Sequence, residues 1–543
     1  MSTDRGSAAV VVQTAGIVAA WLVPVVLHAG NDGLWYLGDA ARHAITGLFW
    51  WDFLSALPSD PADYVLRYYA RYPTIVPLSY PPVFYLLEGV AFRIFGVSPF
   101  VAKGLVLCFA LVGSLYVAAW LRRYVAREAG WGGALMALQP GVVVWSNAVM
   151  LNIPAMTLGV IALYHMRRWL DEGASSAHLW LAIGAAVVTV LTYFPAALVG
   201  VVVGAWLIIE GRTPALWRRH RPAVLLGIGG VLLVLLLIIQ WVPLPFALGW
   251  PSWVDLAQQR RWLLYVWAQP RLLSTPTLIF AAVAFPVAWG APRWRRDLLL
   301  LTSWIGIAYC CLSYLYSQHP RYALLMTPAF ILLAMIGLRG VVDALCGVLG
   351  FSASRCLTAA LLALVAFHAY AAQFVPVPSI TGFRDIARFV LQESPTDRVF
   401  YEGGCDGIFT FYVRAQDPNF THVVVRGSKL LYASAVLPTF RLQEHVASSA
   451  DVIRAFESEC GCAWVALEEP ESEEDNAAVR YLREAVRGPS FRLVRSFPIH
   501  APAAHRVDIY QYLGRIDTPD ELRLPFPILG DGQQFRARPI ERR

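Results

Sequence analysis

The chain has 543 residues, of which 57% are Ala, Val, Ile, Leu, Met, Phe, Trp, Tyr or Cys and only 15% are charged. A mean hydropathy of +0.52 excludes an ordinary soluble protein. The net charge of +7 comes largely from Arg clusters scattered over separate loops, which does not describe a nucleic-acid-binding face.

Charge-free windows recur at 6–31, 104–121, 131–166, 174–209, 222–254, 272–292, 298–318, 322–338 and 357–383. A membrane crossing takes about 20 apolar residues, and only helices satisfy their own backbone in lipid. Windows 131–166 and 174–209 are long enough for helical hairpins, with turns marked by 147–154 and 193–195. The pattern predicts a polytopic α-helical membrane protein with about 11 transmembrane helices. The first window has no A-x-A-type cleavage site and is followed by many others, so it reads as a retained helix rather than a signal peptide. Arg122, Arg123, Arg127, Arg167, Arg168, Arg212, Arg218, Arg219, Arg221, Arg293, Arg295, Arg296, Arg339 and Arg355 fall in alternate loops. The positive-inside rule puts those loops and the N-terminus in the cytoplasm, and the C-terminal domain outside.

The first outside loop, 30–97, is long, aromatic and partly charged. Segments 40–57 and 61–72 have helical spacing and carry Phe49, Trp50, Trp51, Phe53, Tyr64, Tyr68, Tyr69 and Tyr72, which suits helices at the membrane surface. Pro81 and Pro82 start a further helix of about 15 residues, too short to span comfortably. The composition changes near residue 380, so 1–379 reads as the transmembrane module and 380–515 as a small extracytoplasmic α/β domain. Its expected strands are RVFYEG, THVVVRG, CAWVALEE, FRLVRSFPI and VDIYQYLG, and its expected helices are GFRDIARFVLQE and AVRYLREAV. Residues 516–543 are rich in Pro and Arg and read as irregular. If the tail is outside, Cys405 with Cys460 or Cys462 is a candidate disulfide.

Asp39, in GDAARHA, is the foremost chemical candidate in the loop. It reads either as a general base or as a helix cap before AARHAI. Arg42 and His43 lie one helical turn away and either line the same pocket or form a solvated face. Glu88, in a short apolar helix, either pairs with Arg93 or Arg42 or serves the site. Lys103 opens the next span and either meets a phosphate or anchors the helix end. Arg321, beside His319 and Tyr322 in HPRY, either forks onto a phosphate or snorkels at the interface. Asp52, Asp60 and Asp63 read as surface turns, and no D-x-D or His/Asp cluster in the loop points to a metal.

The order of these features resembles the GT-C superfamily of membrane glycosyltransferases. An acid early in a long first loop, SYPPVFYLLEGVAFRIFG, the turn MLNIPAMTLGVIALY and the late HPRYALLMTPAFILLA carry the likeness. It covers roughly 8–375 and is closest to the branch of protein O-mannosyltransferases and the lipid A aminoarabinose transferase. The resemblance implies a sugar moved from a polyprenyl-phosphate donor to an outside acceptor (protein, glycan or lipid), with inversion and without metal or other cofactor. It implies that Asp39 is the base and that Arg42, His43, Tyr80, Glu88, Lys103, Asn152, His319, Arg321 and Tyr322 line the substrate. Asn152 departs from the acid that relatives carry in the hairpin turn, and Tyr80 from a lysine. An Arg- and Ala-rich, Lys-poor chain with short loops suits a bacterial inner membrane. A transporter, or a scaffold for envelope assembly, is the competing reading. The lack of repeated halves and the asymmetric first loop weigh against transport.

Overall fold

The computed structural model describes residues 3–541 except 31, 35–38, 77–79, 126–127, 173–175, 214–219, 223–224, 226, 228, 230–260, 315–317, 436–440, 471–474, 502–503 and 526–533. The chain divides into two compact units, Met1–Gly30 with Lys103–Val377, and Asn31–Ala102 with Pro378–Arg543. The first loop therefore gathers with the C-terminal segment, whereas the sequence reading had joined it to the transmembrane module.

The first unit is helical. Among the described residues, Val10–Ala29, Pro99–Val125, Pro292–Ser313, Pro320–Leu349 and Ala353–Ala372 are long and apolar enough to cross a membrane. Leu264–Leu272 and Thr275–Gly290 make a sixth if counted together, bent by 119°. Most of the expected span 222–254 lies outside the described residues. The two expected hairpins break where the sequence places their turns, before Asn152–Glu172 and at the 3-10 turn Phe194–Ala197. Helices Thr275–Gly290 and Thr327–Leu349 pack so closely that a Cβ at Gly337 would overlap the Phe280 carbonyl and one at Gly340 the Val287 side chain. Small residues let backbones approach in this way where lipid supplies no hydrophobic drive. The Arg-bearing loops meet in one ion cluster. Arg167 donates to Asp297 at 2.8 Å, Arg296 reaches Asp171 at 2.9 Å and Glu210 at 2.5 Å, and Arg123 also pairs with Asp171.

The second unit is built on a five-stranded sheet of order β2-β1-β5-β7-β6. Its strands are β1 (Arg398–Glu402), β2 (Val423–Arg426), β5 (Trp464–Glu469), β6 (Phe491–Pro498) and β7 (Arg506–Tyr512). β1 runs parallel to β2 and β5, and β7 is antiparallel to β5 and β6. β1 and β2 are buried along their length, as parallel strands covered on both faces are, while β6 is mostly exposed. All five strands fall where the sequence predicts them, as do helices Phe383–Glu393 and Ala477–Arg487. Two short hairpins, β3 (Tyr432–Ala435) with β4 (Arg441–Glu444) and β8 (Leu522–Pro525) with β9 (Gln534–Ala537), complete the unit. The last hairpin corrects the reading of 516–543 as irregular: beyond β9, the Ile540 amide donates to the Arg67 carbonyl. Cys405, Cys460 and Cys462 are free, against the expected disulfide. Cys405 follows the end of β1 and Cys462 precedes the start of β5. Because these strands are parallel neighbours, the two cysteines stand at opposite ends of the strand pair.

The loop supplies three helices, Asp39–Ala56, Pro61–Arg71 and Val83–Phe95. The second starts cleanly, with Asp60 accepting from the Ala62 and Asp63 amides. Leu34 bridges to Ile380, and the Tyr412 hydroxyl donates to the Asp32 carbonyl at 2.9 Å. Asp52 is not a surface turn. It accepts from Arg414 and from the Tyr68 hydroxyl, each at 2.7 Å, and the Asp52 and Arg414 side chains are 14% and 8% exposed. Breaking a buried pair leaves an uncompensated charge, so Asp52→Ala is expected to destabilise this unit by about 3–5 kcal/mol. Faster amide hydrogen exchange in β1 and β2 in the variant is the readout.

Candidate active site

Asp39 opens its helix and is half-buried. His43, one turn on, is buried, and its Nδ1 shares a 2.7 Å hydrogen bond with the Tyr85 hydroxyl. The His43 ring meets Tyr80 edge-on at 5.0 Å and stacks against Tyr85 at 5.8 Å. Burial raises the Tyr85 phenol well above its ordinary range, and the neighbouring Tyr80, Glu88 and Asp39 add to the shift. Tyr85 thus stays protonated and can donate. The structure brings Asp39, His43, Tyr80 and Glu88 around it. The sequence reading passed over Tyr85, although it stands three residues before Glu88 and so on the same helical face.

Glu88 is fully buried. Neither of its carboxyl oxygens has a hydrogen-bond partner among the described residues. It fills the space over Gly47, where a Cβ would overlap its carboxyl group, and Gly89 approaches the Gly47 carbonyl in turn. The expected pairing with Arg93 or Arg42 does not occur. Arg93 is exposed, with its guanidinium 5.9 Å from the Trp51 ring centroid. Burial alone holds the Glu88 carboxyl well above the usual carboxylate range, so it is a neutral acid. Arg42 is half-buried, and its charge bears on Arg426 and Lys429 rather than on Glu88.

The other candidates belong to the helical unit. Lys103 is 2% exposed in the first turns of Pro99–Val125, more enclosed than a boundary anchor. Asn152 begins Asn152–Glu172 and is 1% exposed, with no hydrogen-bond partner for its Nδ2 among the described residues. His319 caps the 3-10 turn Pro320–Met326, its Nδ1 accepting from the Arg321 amide at 3.2 Å. Arg321 is 6% exposed, and its guanidinium lies 5.7 Å from the Trp145 ring centroid and 5.6 Å from that of Tyr322. Tyr193 packs on Tyr322 at 6.1 Å, and Trp145 meets His319 edge-on at 5.6 Å. An arginine held between aromatic faces keeps its planar fork oriented, which suits two-point binding of a phosphate. Trp145 and Tyr193 were also absent from the sequence-chosen set. Trp145 precedes the first hairpin turn and Tyr193 opens the second, and only the fold carries them to HPRY.

Residues 79–241 match the model of the family described as dolichyl-phosphate-mannose-protein mannosyltransferase. The chain also superposes on ArnT from Cupriavidus metallidurans, with a TM-score of 0.60 in the apo state at 17% identity. The undecaprenyl phosphate complex of that protein gives 0.59 at 18% identity. Each covers 94% of this chain and 99% of the other. An oligosaccharyltransferase from Archaeoglobus fulgidus, solved with Zn and sulfate, gives 0.50 at 13% identity, over 83% of this chain and 68% of the other. Curated protein sequences yield no match. The chain is a membrane protein with the fold of ArnT. Its likeness in sequence is to the mannosyltransferase family over 79–241, and its likeness in fold is to ArnT.

The proton on Glu88 has a consequence for stability. A carboxyl whose folded pKa is raised contributes most below its unfolded value, near 4.3, and loses that contribution as pH rises toward the folded value. Glu88→Gln mimics the neutral acid. The variant is therefore expected to melt within a few degrees of the parent at pH 4.5 and above it at pH 8. Thermal unfolding at the two pH values decides this, and a variant less stable at pH 8 would contradict a neutral Glu88.

Proposed function

We propose that the protein transfers a glycosyl group from a polyprenyl-phosphate-linked donor to an acceptor on the outer face of a bacterial inner membrane, with inversion. The observation that carries the reading is Asp39. It stands at the start of a buried helix, beside a protonated phenol and a buried imidazole, within a chain whose fold follows ArnT over nearly its whole length. The solved relative with undecaprenyl phosphate supports a lipid-phosphate donor of the same kind here. The Arg loops support about 11 crossings with the N-terminus in the cytoplasm.

In this reading the acceptor hydroxyl gives its proton to the Asp39 carboxylate. Its oxygen bonds to the anomeric carbon as the bond from that carbon to the phosphate oxygen breaks. The polyprenyl phosphate leaves with the electron pair, as a monoester dianion. Tyr85, through His43, keeps the base in place. Arg321, oriented by Trp145 and Tyr322, binds the lipid phosphate, with His319 beside it. Asn152 hydrogen-bonds substrate but cannot take a proton, so Asp39 is the sole base proposed. The acceptor is a protein, a glycan or a lipid, and Tyr80 and Lys103 line the substrate.

Two measurements test this. Native mass spectrometry of the protein from its own host is expected to show a bound polyprenyl phosphate. Asp39→Asn is expected to enrich the glycosylated lipid and to lower transfer by about 10²- to 10⁴-fold with unchanged melting. A well-folded sample that carries no polyprenyl lipid in either form would refute the reading. Arg321→Met is expected to weaken retention of the lipid phosphate by about 10- to 100-fold, the worth of a charged hydrogen bond. Equal retention would remove Arg321 from the donor site.

A further inference from the structure

The second unit carries three cysteines, Cys405, Cys460 and Cys462, and the last two are separated by a single glycine. Cys460 ends the turn Phe456–Cys460, and Cys462 stands two residues before β5 begins. Both are fully buried. Gly461 between them is left-handed, with φ 69° and ψ 21°. That conformation is the mirror image of a helical one, so it spaces its two neighbours as a helix does. The dimensions of a helix put Cα atoms two residues apart at about 5.4 Å. An extended glycine would hold them at about 6.6 Å. Disulfides most often bridge Cα atoms about 5.5–6 Å apart, so the turn sets the two cysteines close to the favoured separation.

The side chains are turned toward each other. The Cys462 amide donates to the Cys460 Sγ at 3.1 Å, and the Cys462 thiol donates to the Cys460 carbonyl at 3.6 Å. Each sulfur thus lies against the other residue's backbone. The turn is also held from outside. Arg398 donates to the Cys460 carbonyl at 3.1 Å and to the Pro519 carbonyl at 2.5 Å, and Thr518 packs over Gly461. Just beyond, the Ala463 amide donates to the Thr396 hydroxyl at 3.3 Å, and the Tyr512 amide donates to the Ala463 carbonyl at 2.8 Å. Cys405 is out of reach of both. Its amide donates to the Glu468 carboxyl at 2.7 Å, and Glu468 lies about 20 Å along the strand from Cys462. A buried cysteine ordinarily serves as a small apolar filler. Filling does not account for two thiols folded onto one turn through a conformation that a side-chain-bearing residue rarely adopts.

We propose that Cys460 and Cys462 close a disulfide across Gly461 on the oxidising side of the membrane. The assignment rests on the reading that the C-terminal domain lies outside, and not on glycosyl transfer. The structure holds the dithiol form. The oxidant is a disulfide, carried by a thiol oxidoreductase or by a small molecule. The thiolate of one cysteine attacks it, forming a mixed disulfide and releasing one oxidant sulfur as a thiol. The thiolate of the other cysteine then displaces the second oxidant sulfur as the bond between the two Sγ atoms forms. Two electrons and two protons pass to the oxidant, which leaves as two thiols. Burial, then Cys460, hold the Cys462 thiol well above its ordinary range, so little thiolate forms there once the unit has folded. The exchange therefore belongs to the folding chain, and the packed unit afterwards keeps reductants from the bond.

The positions of arginine make the test direct, because cleavage after Arg454 and Arg480 gives one peptide that holds both cysteines and no third. The full-length protein is quenched in acid from its host membranes without reductant. It is then denatured, alkylated with iodoacetamide, reduced, and alkylated again with N-ethylmaleimide. Peptide 455–480 is expected to carry two maleimide labels and no acetamide, while Cys405 carries acetamide. Cys405→Ser is expected to leave the pattern of 455–480 unchanged. Acetamide on Cys460 and Cys462 would overturn the proposal, as would a peptide joining either of them to Cys405. Orientation is read separately with Arg388→Cys, at a side chain 54% exposed, and a membrane-impermeant maleimide on spheroplasts. If that position is labelled and the two thiols are free, the disulfide alone fails. If it is protected and the two thiols are free, the outside reading fails with it. Transfer activity plays no part in the readout, so the outcome is separate from that of the glycosyltransferase reading.

Discussion

Asp52 lies between two donors, the Arg414 guanidinium and the Tyr68 hydroxyl. One donor belongs to the helix Asp406–Gln416 behind β1, and the other to the loop helix Pro61–Arg71. Through this carboxylate the helix that begins with Asp39 is tied to both. The pair is enclosed, so its Coulomb energy is little screened, and any tilt of the helix would strip a charge of its partner. Aromatic packing around it sets the remaining freedom. Tyr68 touches Phe49, Tyr72 and Phe420, and the Arg414 guanidinium lies 4.4 Å from the Phe420 ring centroid. The position of Asp39 is thus fixed from the far end of its own helix, three turns away.

The near end is fixed differently. Gly47 and Gly89 let the Asp39 and Val83 helices cross closely, and the carboxyl of Glu88 fills the gap that a glycine leaves. The same crossing aligns Tyr85 with His43. A side chain that is polar in composition acts here as a space-filling neutral group, and a bulkier residue at position 47 would displace it. Rigidity at the crossing and charge pairing at Asp52 together orient the first turn. Binding and catalytic residues commonly sit on segments held this way by a firm scaffold.

Much of the fold was legible because the signals were local. Charge-free windows marked the helices, and short β-branched runs marked the five sheet strands. Asp39, Arg42 and His43 were legible as one helical face. Tyr85, Trp145 and Tyr193 were not, since nothing about a tyrosine or tryptophan in an apolar helix distinguishes a packing role from contact with a site. The pairing of Asp52 with Arg414 was also invisible. The two residues are far apart in sequence, and WWDF gives no hint that its aspartate turns inward. The candidate disulfide shows the same limit: a cysteine-poor tail does not say at which end of two parallel strands each cysteine lies. The strands of 522–537 were missed because Pro and Arg there suppressed a pattern that pairing with a partner strand restores.

The second unit is discontinuous in the chain, and all of Lys103–Val377 is synthesised between its two parts. At about 5–20 residues per second, that interval lasts roughly 15–55 s. During it the Asp39 helix has emerged, but Arg414 and Arg426 do not yet exist. Asp52 has no guanidinium to meet, and Leu34 has no Ile380 to bridge. The nascent loop must wait with its aromatic face uncovered. Completion of the site is therefore tied to completion of the polypeptide, and a ribosome that stops before the C-terminal segment leaves helices in place but the surroundings of Asp39 unformed. This arrangement makes quality control of biosynthesis simple, because an incomplete chain shows an apolar, aromatic surface that a finished one does not.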